Sequence, residues 1–394
     1  MRFVEPVAAG FVALCGLTLV SLVLLSAYIN VALAAVALST LYLLHRDRWS
    51  AIRLHDWGWV RHIYQATAIY KFVWRLNRAC SKLTPPLDAI GVYDGGTAIL
   101  DDIIASGPVT FQQKPTNRAQ IESLMECVCG LVGNVRLNGR TPLVLDIGAG
   151  KALFTRAVYE ALDRQVAVVA LDNRNQHSKD LFYDPPQIDE VLNGSTNRSV
   201  GIGEAPYTRI VADVRHLAAR TLVPMDKSKA GGVIAITKHL CGGATDESLM
   251  ALCSPPLNDF VGACCLAPCC HQKMRRDQYC NIPFLQSLGF CQTHTGFKGR
   301  AQDADFKKFT TLISMSKNSS PELLDFEYKQ STLPKLLGFA WATQLGRQAR
   351  HLFEEGRAQY LRGRGFDVHL VRYCRKEITG DNLAIIARRK TVAI

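Results

Sequence analysis

Beyond Pro142 the chain alternates between two hydrophobic periods. Apolar runs at Leu143–Ile147, Val166–Leu171, Arg209–Ala212, Gly232–Ile236 and Val261–Ala267 are too short for helices and are separated by stretches of helical periodicity. Strands that alternate with helices lie parallel in one sheet, so the pattern predicts a Rossmann-like, doubly wound α/β fold. Near the end of the chain, Asp367-Val-His-Leu-Val-Arg-Tyr and Asn382-Leu-Ala-Ile-Ile-Ala-Arg flank Thr379-Gly-Asp381. They predict a pair of strands that closes the sheet antiparallel. Upstream, Thr116 to Val135 reads as a helix, and Thr84-Pro-Pro and Asp94-Gly-Gly punctuate a loop-rich stretch. No internal repeat is present.

The N-terminal pattern differs. From Val7 to Leu44 there is no charged residue, a run longer than the roughly 20 residues one helix needs to cross a bilayer. It predicts a transmembrane segment, either a hairpin turning at Tyr28-Ile-Asn30 or one tilted span. Arg46, Arg48, Arg53 and Arg61, with Trp49, Trp57 and Trp59 among them, resemble a positive-inside flank with an aromatic belt. A membrane anchor with the rest of the protein facing the cytosol is therefore expected. The alternative is a mis-assigned start codon, which would leave a protein of the cytoplasm or nucleus. Residues 50–80 read as a basic, aromatic, amphipathic helix, suited to a membrane interface or to packing on protein. The expected organisation is a membrane segment over 1–48, a connector over 49–115 and a catalytic domain over 116–394.

Composition changes this picture little. With 48% hydrophobic residues the 394-residue chain can build a sizeable core, and disorder is not the default. Lys and Arg number 46 against 34 Asp and Glu, a net charge of +12 that favours a polyanionic partner, nucleic acid or acidic lipid. Thirteen cysteines, some in adjacent pairs, do not match a secreted disulfide framework and point to a reducing compartment.

The chemistry concentrates at two glycine-rich turns. Asp146-Ile-Gly148-Ala-Gly150 follows a buried strand and precedes a helix, so its glycines let backbone approach a nucleotide-like cofactor. A dinucleotide fold would place a third glycine at 153, where Leu153 stands. S-adenosyl-L-methionine has no pyrophosphate and does not require it. Asp172, just past the second strand, is placed for ribose hydroxyls, and Asp213, ending the third, for the adenine edge. Each alone would read as a helix cap or turn residue.

The second turn is Lys238-His-Leu-Cys-Gly-Gly-Ala-Thr-Asp246, where Lys238 and His239 leave the fourth strand at its carboxyl end. This string resembles the signature of the eukaryotic tRNA ribose 2′-O-methyltransferases that act on the fourth nucleotide of the acceptor stem. Tyr207-Thr-Arg-Ile-Val-Ala-Asp213-Val-Arg-His216-Leu, Ala267-Pro268-Cys269-Cys270-His271, the stretch Leu345-Gly-Arg347-Gln-Ala-Arg350 to Gly365-Phe366 and Asn382-Leu-Ala are similar to other motifs of that family. Together they cover roughly residues 116 to 390. The chain departs from the family at Gln272, usually a second His, and at Pro268, usually apolar. The family's two N-terminal zinc modules have no counterpart before Cys127, which bears on how tRNA is gripped.

The resemblance implies methyl transfer from S-adenosylmethionine to a ribose hydroxyl of tRNA. Lys238 is the candidate base, because a lysine desolvated beside the cofactor would lose its proton more easily. His239 and His271 compete for the role. Arg347, Arg350, Arg357, Arg362 and Arg364 form a basic helical stretch that would contact acceptor-stem phosphates, or else a solvated helix face. A zinc site drawn from Cys264, Cys265, Cys269, Cys270, His271 and Cys280 is not expected. Adjacent residues of a strand point to opposite faces, so neither pair could give both thiols to one ion without a break in the strand. Two other functions would use the same residues: methylation of a protein or small molecule, or membrane-tethered RNA binding with an inactive site.

Overall fold

The computed structural model of the protein describes residues 58–88, 91, 94–105, 114–136, 142–173, 189–191, 207–216, 232–255, 257–292, 300–317 and 337–390. Residues 69–394 form one compact unit and residues 1–68 another, of which only the stretch from Gly58 is described. In chain order the elements are α1 (Gly58–Cys80), β1 (Leu87–Asp88), α2 (Gly96–Ala105), α3 (Pro115–Arg136), β2 (Leu143–Ile147), α4 (Leu153–Ala161), β3 (Ala167–Asp172), β4 (Asp189–Val191), β5 (Tyr207–Val211), β6 (Val233–Cys241), α5 (Ala244–Leu252), β7 (Val261–Cys269), α6 (Ile282–Ser287), α7 (Arg300–Met315), α8 (Phe339–Arg362), β8 (Phe366–Arg372) and β9 (Leu383–Arg389).

Among the described residues the strands make one sheet in the order β1-β8-β9-β7-β6-β2-β3-β5-β4. From β2 the chain steps to β3 and β5 on one side, then returns to place β6 and β7 on the other. Such a reversal opens a crevice beyond the carboxyl ends of the strands on either side of it. Strand β9 runs antiparallel to both β7 and β8, so the expected closing pair is present and the sheet is mixed.

The central strands are apolar throughout because both their faces are covered. Val144, Cys265 and Ala267 belong to one buried layer, and Leu145, Cys264 and Leu266 to the other. Alternation thus sends Cys264 and Cys265 to opposite faces, where they fill space. A third cluster joins α1, α7 and α8 through Phe72, Leu76, Phe309 and Phe353. The rings of Phe72 and Phe309 meet edge-on at 4.9 Å.

The structure corrects the expected fold at its membrane segment. Among the described residues no helix is long and apolar enough to cross a bilayer. Helix α1 has 23 residues, but it carries Arg61, Lys71, Arg75 and Arg78 and buries Phe72, Val73 and Leu76 against protein. The packing alternative holds for that helix over its second half. The apolar run to Leu44 lies outside the described residues.

Candidate active site at the carboxyl edge of the sheet

The loop between β2 and α4 is tied to the end of β3. Gly148 and Ala149 donate their backbone N–H groups to the Leu171 carbonyl at 2.8 and 3.0 Å, and Gly150 donates to Asp172 Oδ2 at 2.9 Å. Gly148 adopts φ +78°, and a Cβ there would stand 2.8 Å from Leu240 Cδ1. Only glycine lets β2 turn this sharply against the end of β6. From the other side Arg209, buried at 1% exposure, donates to the Gly150 carbonyl.

This loop walls a cleft of about 650 Å³ at the switch point, lined by Gly148, Asp172, Asp213, Leu240, Cys241, Glu247 and Lys273 among others. Three of the residues predicted for the cofactor thus meet in one cavity. Asp213 is already engaged, accepting from the Arg215 backbone and guanidinium at 2.7–3.1 Å. Asp146 and Gly150 are not among the lining residues. Asp146 Oδ2 accepts from Thr155 Oγ1 at 2.6 Å, while its Oδ1 is buried with no partner. Burial lifts this carboxyl to about 7, against the Thr155 hydrogen bond, which lowers it. The wall carries three carboxylates, Asp172, Asp213 and Glu247, and three cations, Arg215, Lys273 and Arg275, which suits a polar ligand with hydroxyl groups and charges of both signs.

Lys238 lies within β6, two residues before Leu240, where the pairing with β7 slips by one residue. Its ammonium donates to Asn117 Oδ1 of α3. Burial pulls it down to about 8, with Cys269, Asp146 and Cys374 the acids that oppose the shift. The backbone of His239 sits at the bulge, and its side chain lies outside the described residues. His271 is not at the cleft. It is fully buried, its Nε2 2.6 Å from Glu354 Oε1, and burial lowers its pKa. This corrects its candidacy as a base that touches substrate.

The arginines expected to form one phosphate-binding face separate. Arg350 and Arg357 are each 1% exposed. Arg350 donates to the carbonyls of Pro268 and Gly380, and Arg357 to Asp246 and Glu354. They are internal ties, since α8 buries the face they occupy. Arg362 is paired with Glu355 at 2.6 Å, and the guanidinium of Arg364 stacks on Tyr360 at 3.4 Å. Of the five, Arg347 and the buried Arg350 join a second cleft, of about 590 Å³, at the same edge of the sheet. Arg347, Arg372, Arg375 and Lys376 line it, with Asp88 held by Arg372 at 2.8 Å. Cys374, in its wall, is near enough to Lys238 to act on its charge.

Sequence reasoning did not single out Asn117, Thr155 or Arg209 as site residues, nor the basic run after β8. Asn117 is 121 positions from Lys238, and no local pattern connects them. Arg209 was visible only as one polar residue in an apolar strand, a signal that marks a buried tie.

A model of the methyltransferase TRM13 family matches residues 124–388. The tRNA:m(4)X modification enzyme TRM13 of Vanderwaltozyma polyspora is 28% identical over 62% of this chain and 56% of its own length. That of Eremothecium gossypii is 28% identical over 71% and 64%. The chain thus spans less than two thirds of the length of these relatives. Among solved structures, the SAH-bound Podospora anserina methyltransferase PaMTH1 covers 80% of this chain and 94% of its own at 9% identity. Its TM-score of 0.34 is too low for that likeness to carry an argument. With the family's model matched across the sheet from α3 to β9, the chain belongs to the methyltransferase TRM13 family.

Proposed function

We propose that the protein is a tRNA methyltransferase that uses S-adenosyl-L-methionine and acts on the ribose 2′-hydroxyl of the fourth nucleotide of the acceptor stem. The observation that carries this reading is the desolvated Lys238 at the carboxyl edge of the sheet, two residues from Leu240 of a glycine-walled cleft and within electrostatic reach of Cys374 of a basic one. The glycine-walled cleft carries Asp172, Asp213 and Glu247 together with Arg215, Lys273 and Arg275, and the other is lined by Arg347, Arg372, Arg375 and Lys376. The first fits the cofactor. Asp172 and Asp213, which line it, would take the ribose hydroxyls and the adenine edge. The second fits a sugar–phosphate backbone, since guanidinium and ammonium groups with one opposing acid attract phosphate whatever the base. The family relationship supports tRNA as the carrier of that backbone, given what the two yeast relatives are named for.

When bound, S-adenosylmethionine supplies a methyl carbon made electrophilic by its sulfonium. Lys238 Nζ, neutral in part near pH 8, would accept the proton of the acceptor hydroxyl and so ready its oxygen for the methyl group that the cofactor would supply. Asn117 fixes the amine. The test is transfer of labelled methyl to tRNA by the full chain, with the product located by the alkali resistance of the adjoining phosphodiester. Label at the fourth acceptor nucleotide supports the reading, and label that stays alkali-sensitive, on a base, overturns the ribose assignment. Label on protein alone overturns tRNA as well.

A further inference from the structure

Three thiols converge at the ends of β6 and β7. The sulfurs of Cys241, Cys269 and Cys270 all lie within 4.8 Å of one another, with Cys241 and Cys269 at 3.5 Å. Two backbone irregularities bring them there. The one-residue slip after Lys238 sets Cys241 opposite Cys269. Cys270 then takes φ +51° and ψ 40°, a left-handed conformation that residues other than glycine rarely hold. Along a regular strand Cys269 and Cys270 would point to opposite faces, as Cys264 and Cys265 do. The left-handed turn is the break in the strand that returns both thiols to one side.

We propose that Cys241, Cys269 and Cys270 bind a single Zn²⁺ ion that clasps the end of β6 to the end of β7. Tetrahedral zinc with thiolates at about 2.3 Å sets its sulfurs roughly 3.8 Å apart, a spacing bracketed by the 3.5 Å between Cys241 and Cys269 and the 4.8 Å that bounds the cluster. Three thiolates around a dipositive ion leave one negative charge, and Lys273 lies where it acts on both Cys241 and Cys270. Cys269 is buried while Cys241 is exposed and lines the cofactor cleft, so the fourth coordination position opens toward solvent on that side. The ion would fix the Gly242-Gly243 turn and, through three residues of β6, the position of Lys238. Its role is to position these strand ends.

This inference is independent of which acceptor is methylated, because its readout is metal content. The full chain, purified without chelator, is expected to carry about one zinc per molecule by mass spectrometry of the metal. Replacement by Co²⁺ is expected to give the near-ultraviolet charge-transfer band of thiolate ligation. Cys241→Ser and Cys270→Ser should each weaken zinc binding beyond the roughly 10–100-fold that losing an outer partner of a ligand costs. Cys253→Ser, outside the cluster, should leave it unchanged. If Cys270→Ser fails to fold, the exposed Cys241→Ser and the cobalt spectrum of the unmutated protein still decide. Zinc retained in full by Cys241→Ser, or no zinc and no cobalt–thiolate band in the unmutated protein, would overturn the proposal. A Cys241–Cys269 disulfide in protein kept under reducing conditions would do the same.

Discussion

The string from Lys238 to Asp246 feeds two charged regions that behave in opposite ways. Asp246 enters the network under α8, where Arg357 reaches its two carboxylate oxygens at 3.2 and 2.6 Å and those of Glu354 at 3.0 and 3.1 Å. Burial alone would raise the Glu354 carboxyl, but Arg357, His271 and Arg350 hold it down at about 2. Lys238 enters the other region, where Asp146 is as deeply buried as Glu354 yet keeps an oxygen without a partner and is pushed up to about 7. Equal burial therefore leaves one carboxylate firmly ionised and the other poised near neutrality. The difference is the number of donors that meet it. A matched network specifies structure, and an unmatched one is where a ligand or proton can be exchanged.

The hardest test of this contrast is Arg357→Met. It strands the carboxylates of Asp246 and Glu354 inside the protein, and losing one partner of a buried network costs about 3–5 kcal/mol. Chemical denaturation of the full chain should show a loss of that order. A loss below about 1 kcal/mol would mean that the network is not the structural tie described. Lys238→Ala should do the reverse, with little change in the denaturation midpoint and methyl transfer slowed about 10²–10⁴-fold. In the unmutated protein transfer should rise with pH and level off above about 8, because only the neutral amine accepts the proton and burial has brought its pKa to that value. A rate flat from pH 6 to 9 would remove Lys238 as the base.

Much of the fold could be read in the sequence because strands buried on both faces write themselves as unbroken apolar runs. The turn at Gly148 could be read too, since only glycine tolerates φ +78° against Leu240. What stayed hidden was depth and partnership. Arg350 and Arg357 recur along α8 as a solvated basic face would, yet they point inward, and their carboxylate partners Asp246 and Asp381 come from distant segments. Their burial depends on how α8 meets α5 and the turn before β9, which helical periodicity does not encode. The left-handed turn at Cys270, one residue past the end of β7, is likewise invisible to strand alternation.

Asp146→Asn sharpens the contrast at the buried carboxyl itself. The Asp146 carboxyl stands at about 7 instead of 3.8, so its folded state prefers the proton. Its contribution to stability is complete below the ordinary carboxylate range and is lost as pH rises through about 7. Asparagine carries no such charge and still accepts from Thr155. The variant should melt at the same temperature as the unmutated protein at pH 4, and higher at pH 8. The rise in melting temperature that S-adenosylmethionine gives should shrink in the variant. A variant less stable at pH 8 would show that Asp146 has the partner it is described as lacking.

The smallest effects are expected at the second cleft, where exposure makes each side chain nearly neutral for folding. Arg375→Ala and Lys376→Ala should each shift stability by no more than about 0.5 kcal/mol. Each should also lower the slope of log affinity for tRNA against log salt by about 1, because each phosphate contact releases its own counterion. Arg364→Ala is the control. That guanidinium also sits on the surface, but it stacks on Tyr360 at the far end of α8 and lines neither cleft. If Arg364→Ala lowers the slope while Arg375→Ala does not, the RNA lies along the end of α8 as the helical pattern alone suggested. The basic cleft beside Lys238 would then be surface without a ligand.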